Sequence, residues 1–259
     1  MRASTLIPSP ALRAIDHVRA RRFLATTAPP TREYVRRYGL QVRRGPFTGM
    51  NYIPGLEATA GDLVAKLAGT YERELHGVVE EWIADDLTHV IDVGSAEGFY
   101  VIGFALTIPR ATVHAFDIDA AARERCAAMA ELNGVGERVR IGGLCDPASL
   151  DAFPERGVAL WSDCEGGELA LLDPQLAPRL RGWTILVELH DFVDPSITST
   201  ICARFAASHE IEIIDALPRQ RDIPEEISFA TPRQRAALLK ERPLKMHWAH
   251  LRPRQPSSG

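Results

Sequence analysis

Apolar residues in this chain come in two rhythms that take turns. Short runs rich in β-branched residues, of the kind that builds a buried strand, occur at Val90–Val93, Ala111–Ile118, Val139–Ile141, Val158–Ser162 and Thr184–Leu189. Between them the apolar positions fall at helical spacing: Phe99, Val101, Ile102, Ala105 and Leu106 after Gly98, then Ala120–Leu132, which Asn133-Gly134 stops. Strand and helix alternating in this way predict an α/β fold with a mostly parallel sheet. Beyond Asp191 the pattern continues with a helix around Ser196–Ser208, a strand at Glu210–Ile214, a charged helical stretch at Pro232–Glu241 and a last strand at Met246–Leu251.

From Thr59 to Asp86 the pattern is helical, with Leu63, Leu67, Leu75, Val78, Val79 and Trp82 as apolar positions and a break at Gly69. Residues 1–58 are less regular and read as an N-terminal helical and loop extension. An arginine-bearing helix over Ala11–Leu24 is expected to end at the Pro/Thr cluster Thr26–Thr31. That composition also suits a transit segment, although a surface helix is the favoured reading. A basic segment, Arg32–Arg44, carries Tyr34 and Tyr38, and the Gly/Pro/aromatic loop over residues 45–55 serves either as a lid or as a connector. The main domain is then expected over 59–251, with a loose tail at 252–259.

The first strand breaks into Asp92-Val93-Gly94-Ser95-Ala96-Glu97-Gly98, which delivers the chain to a helix N-terminus. Glycine at 94 and 98 lets the backbone turn tightly and approach a nucleotide-like ligand. A dinucleotide fingerprint wants a middle glycine where Ala96 stands, and an acid two residues before the first glycine suits a cationic ligand. At these residues the chain resembles the class I S-adenosylmethionine-dependent methyltransferases; the plainer alternative is an ordinary strand-to-helix turn. The resemblance implies a Rossmann-like, doubly wound sheet of seven strands, with one antiparallel strand at or near its edge. It also implies that Asp92, Gly94, Ser95, Glu97 and Gly98 hold the cofactor. Asp117, ending the second strand, takes the ribose hydroxyls, with Asp119 as the fallback. Asp146, after the third strand, either meets the adenine or caps the helix that begins at Pro147. Tyr71 and Glu72 lie on the segment that packs over the cofactor in many such enzymes, unless they only pack and face solvent.

Ligands gather outside the carboxyl ends of parallel strands, so Asp163, Glu165, Glu188, His190 and Asp191 should converge there. The segment SDCEGGELALL is similar to the Asp-x-Glu-Gly-x-Glu segment of FkbM-like methyltransferases, which implies O-methylation of a small molecule or a sugar hydroxyl. Cys164 departs from that pattern, since the group commonly carries an aliphatic residue there. Methyl transfer to a hydroxyl needs positioning and a proton acceptor. His190 is the first choice of base, with an ordinary pKa near 6.5 that Glu188 and Asp191 can raise. Asp163 and Glu165 are the other catalytic candidates, and Asp163 can instead hold the methionine amino group. No metal is the favoured reading. A divalent ion on Asp163, His190 and Asp191, with Glu165 beside them, is the alternative. Cys164 is a poor nucleophile with acids on either side.

Charge narrows the partners. The 34 acidic residues outnumber 30 basic ones, for a net charge of −4, which offers no general attraction for phosphate backbones or anionic membranes. Arginines near 32–44 and 219–235 are the local exceptions. A small-molecule substrate is therefore expected; an RNA or protein acceptor, or a non-catalytic S-adenosylmethionine-binding protein, is the alternative. Cys126, Cys145, Cys164 and Cys202 are too widely spaced for a zinc knuckle, which fits a reducing, cytoplasmic setting. No apolar run approaches the roughly 20 residues that cross a bilayer, and no signal-peptide core follows Met1. The sequence leaves the oligomeric state open.

Overall fold

The computed structural model describes residues 25–56, 62–217, 223–240 and 246–254. The expected Ala11–Leu24 helix and the end of the tail lie outside the described residues. Helix α1 spans 25–38, α2 Leu63–Ala68 and α3 His76–Ala84. Strands β1 to β5 follow at His89–Val93, Thr112–Phe116, Val139–Gly142, Val158–Ser162 and Thr184–Leu189. Between them lie α4 (Phe99–Thr107), α5 (Ala120–Leu132) and the single turns α6 (Pro147–Leu150) and α7 (Glu168–Leu171). The order ends with α8 (Ile197–Phe205), β6 (His209–Asp215), α9 (Pro232–Leu238) and β7 (His247–Pro253). Each expected strand is present, Val158–Ser162 and Thr184–Leu189 with the ends expected and the others with ends shifted by at most two residues.

The seven strands lie in the order β3-β2-β1-β4-β5-β7-β6. Strands β1 to β5 pair in parallel, while β7 runs antiparallel to both β5 and β6. The sheet is therefore the doubly wound, Rossmann-like one anticipated. Sequence order reverses at β1, where β2 departs to one side and β4 to the other, and a crevice opens at that switch point.

Alternation along each strand divides the core between the two faces. Val90, Trp161, Leu186 and Trp248 join one cluster with Leu63, Leu67, Trp82 and Phe104. Ile91, Leu160, Ile185, Val187 and Leu189 join the other with Ile197, Ile201 and Phe205 of α8. The continuing parity puts Asp92, Asp163 and Glu188 on the first face, so the acids of interest share one side of the sheet.

The extension belongs to that first core. Tyr34, Phe47, Met50 and Tyr52 are all at most 4 % exposed, and the Phe47 ring meets Phe99, Tyr100 and Phe104 edge-on. The 45–55 loop thus packs onto α4. The cluster Thr26–Thr31 does not end a helix, as the sequence reading expected. It lies inside α1, which continues through Pro29 and Pro30 to residue 38. Thr31 donates its hydroxyl to the Thr27 carbonyl, and burial of Tyr34 on the same helix outweighs the amide bonds the prolines cannot make. Gly69 does break the helical stretch: it closes α2 in the left-handed conformation, where a Cβ would meet the Arg44 carbonyl at 2.2 Å.

Candidate functional site

The Gly-rich loop after β1 is pinned from both sides. Gly94 and Ser95 donate their amides to the Phe116 carbonyl at the end of β2, and the Asp163 amide donates to Val93. Gly94 has φ +90°, and a Cβ there would lie 1.8 Å from the Asp163 carbonyl oxygen, so only glycine fits. Ala96 also sits in the left-handed region, at φ +47°. The Asp117 carboxylate holds it there, accepting the Ala96 amide at 2.9 Å and the Asp119 amide at 2.8 Å.

Beside this loop is a cleft of about 400 Å³, open to solvent. Asp92, Glu72, Glu97 and Asp163 give it acid walls, while Tyr71, Phe99, Tyr100 and Trp161 give it aromatic ones. Tyr100 stacks on Trp161 with centroids 3.6 Å apart and donates its hydroxyl to the buried Glu72. Burial raises the Asp92 carboxyl well above the usual carboxylate range, and the charges of Asp163, Asp117, Glu72 and Glu97 raise it further. One cation enters the lining. Lys66, 5 % exposed, places Nζ 2.7 Å from Asp62 and 2.6 Å from Glu97. Burial works against its charge, but those two carboxylates hold its pKa well above the ordinary lysine value.

Asp163 also belongs to a second group. Immediately after β5, the His190 ring is 2 % exposed and its Nδ1 lies 2.6 Å from Glu168 Oε1, itself fully buried. The other ring nitrogen, Nε2, faces Glu165 at 3.4 Å, Asp163 at 3.5 Å and Glu188 at 3.8 Å. Burial pulls the imidazole pKa down. Hydrogen bonding to Glu165 and Glu168 and the charges of Glu168 and Glu188 outweigh it, raising the pKa to about 10. At neutral pH the ring therefore keeps its proton, unlike the free imidazole that the sequence reading used. Burial pushes the Cys164 thiol up to about 12, with help from the Glu168 charge, so no thiolate is at hand.

Tyr71, Asp92, Gly94, Ser95, Glu97 and Asp163 thus come together on one cleft. Gly98 stands behind the loop as the residue before α4, and Asp117 touches the site through the Ala96 amide. Asp146 is exposed and caps α6, accepting the Ser149 amide and hydroxyl; Asp119 caps α5. Asp191 stands apart from the His190 group, because its carboxylate accepts the amide and hydroxyl of Thr198 at α8. Sequence reasoning passed over Lys66, whose signal is a lone lysine in the apolar turn LVAKLA. It also gave no role to Glu168, the last acid of the segment it had quoted.

No protein-family model matches this chain, and no curated protein sequence does. Solved structures with a similar fold include cofactor-bound Rv0187 from MTB, at 16 % identity, covering 72 % of this chain and 82 % of that one with a TM-score of 0.48. Precorrin-6y C5,15-methyltransferase from Geobacter metallireducens GS-15 is similar at 11 % identity, 70 % and 88 % coverage and a TM-score of 0.46. The C-terminal domain of the precorrin-6Y C5,15-methyltransferase from Rhodobacter capsulatus is similar at 15 % identity, 66 % and 85 % coverage and a TM-score of 0.43.

Proposed function

We propose that the cleft binds S-adenosylmethionine and that the chain transfers its methyl group to a hydroxyl of a small molecule or sugar. The observation that carries this reading is the buried Asp92 in a cleft with three further acids, beside a tight loop at the switch point of the sheet. A pyrophosphate would be repelled there; a ligand bearing sulfonium and ammonium charge is attracted. Asp92 and Glu72 hold the cationic amino-acid end, the loop from Gly94 to Gly98 supports the nucleoside, and Asp117 receives the ribose. When bound, the sulfonium supplies an electrophilic methyl group.

The chain's own residues then orient the acceptor and take its proton. Asp163 joins the cleft to the His190 group, which supports methyl transfer at that junction. Because His190 holds its own proton at neutral pH, Asp163 and Glu165 are the carboxylates ready to accept one. Phe192 and Val193, 57 % and 52 % exposed, follow His190 and offer apolar surface to a small organic acceptor.

Calorimetry tests the cofactor step. S-adenosylmethionine and S-adenosylhomocysteine should bind and NAD should not; binding of NAD alone overturns the reading. Labelled-methyl transfer to a panel of phenolic and sugar hydroxyls then tests the reaction, and transfer to RNA or protein alone would reassign the acceptor.

A further inference from the structure

We propose that Asp163, Glu165 and His190 form a binding site for a hard divalent cation of the manganese and magnesium class. One ligand atom from each residue lies within 4.8 Å of the others. Ligand atoms about 2.1–2.2 Å from an octahedral ion stand about 3.0 Å apart when adjacent and about 4.3 Å apart when opposite. The separations from His190 Nε2, 3.5 Å to Asp163 and 3.4 Å to Glu165, fall between those limits. They are longer than the 2.6 Å of the His190 to Glu168 contact, and Nε2 meets both carboxylates on the side of the ring away from Glu168.

A second observation points the same way. The buried His190 ring has given Nδ1 to Glu168, which fixes its orientation and turns Nε2 toward the two carboxylates, where an ion would take the place of the Nε2 proton. A carboxylate behind a histidine in this manner orients the ring and strengthens the nitrogen opposite as a metal ligand. Glu188 Oε2, 3.8 Å from Nε2, is a third oxygen at the edge of the group. Glu165 has a side chain 81 % exposed and Asp163 one 32 % exposed. The outer side is thus open, and water or a substrate oxygen can complete the shell.

Where the ion would act rests on the methyl-transfer reading: Asp163 also lines the cleft, so a hydroxyl bound to the ion would be acidified next to the methyl donor. Binding itself does not depend on that reading, and the test keeps the two apart. The full chain, stripped with chelator and free of S-adenosylmethionine, is titrated with Mn²⁺ alone and followed by electron paramagnetic resonance.

One equivalent should bind, with nitrogen-14 modulation from one imidazole in the pulsed spectrum. Glu165→Gln, at an exposed position that leaves the core intact, should weaken binding at least about 10-fold. Glu168→Gln should weaken it by about 10- to 100-fold, the scale for an outer-shell partner. His190→Gln should remove the nitrogen signal. No stoichiometric binding up to millimolar Mn²⁺, binding unchanged in Glu165→Gln, or binding without nitrogen modulation would each overturn the site. A bound ion with no affinity for S-adenosylmethionine would uphold the cation site and defeat only the cofactor reading.

Discussion

Gly94 passes so near Asp163 that the end of β1 and the exit of β4 touch through backbone alone. That contact aligns the cofactor loop with the first residue of the His190 group. Gly94→Ala should therefore destabilise the chain by at least about 2 kcal/mol, from the strained φ together with the clash. It should also abolish binding of S-adenosylmethionine in any protein that folds. Urea denaturation and calorimetry check this, and an alanine variant with wild-type values would refute the close approach.

Lys66 ties α2 to the same loop through Glu97. Its removal leaves two half-buried carboxylates without their cation, so Lys66→Met should cost about 2 kcal/mol. Adding Glu97→Gln should recover part of that loss. The measurement is a double-variant cycle in urea, and strictly additive losses would mean that the two residues do not act as a pair.

Asp92 supplies a proton count. Burial and four neighbouring acids raise its carboxyl in the empty cleft, and a cationic ligand favours the ionised form. Binding of S-adenosylmethionine should release a proton and tighten as pH rises. Calorimetry in buffers of different ionisation enthalpy reads the release directly, and Asp92→Asn should eliminate it.

His190 gives the cation-free protein a pH-dependent stability. Its pKa is about 10 when folded against an ordinary 6.5, so the folded state binds the extra proton between those values. The contribution is complete below about pH 6.5 and is lost as pH rises through 10. Urea midpoints between pH 6 and 10.5 should fall more steeply in the wild type than in His190→Gln, with Glu168→Gln in between. Parallel slopes in the three proteins would mean that the imidazole carries no such proton.

Strands β1 to β5 were legible because a fully buried strand needs short β-branched runs, and Val90, Ile91 and Val93 satisfy that need without tertiary help. Asp92 and Gly94 were legible because a charge and a missing Cβ at a strand end have few physical uses. Glu168 was not, since its partner His190 comes from another strand and periodicity does not encode a pairing between side chains. The same limit applies to Asp191, whose neighbour in sequence is His190 but whose partner in space is Thr198. Helix α1 escaped detection for a related reason: Pro29 and Pro30 signal a break locally, and only packing of Tyr34 against distant residues overrides them.

The insertion of β7 between β5 and β6 has a consequence for the order in which the molecule is made. Strand β5, which leads into His190, is covered on one side by β4 and on the other by a strand that arrives only after α8, β6 and α9. During synthesis on the ribosome, β5 is therefore an open sheet edge, with Leu186 and Trp161 lacking the Trp248 cover they later share. The cofactor loop at β1 can form while this edge is still bare. Strand β5 gains its second neighbour last, so the sheet beneath His190 is complete only once the final strand has slotted in.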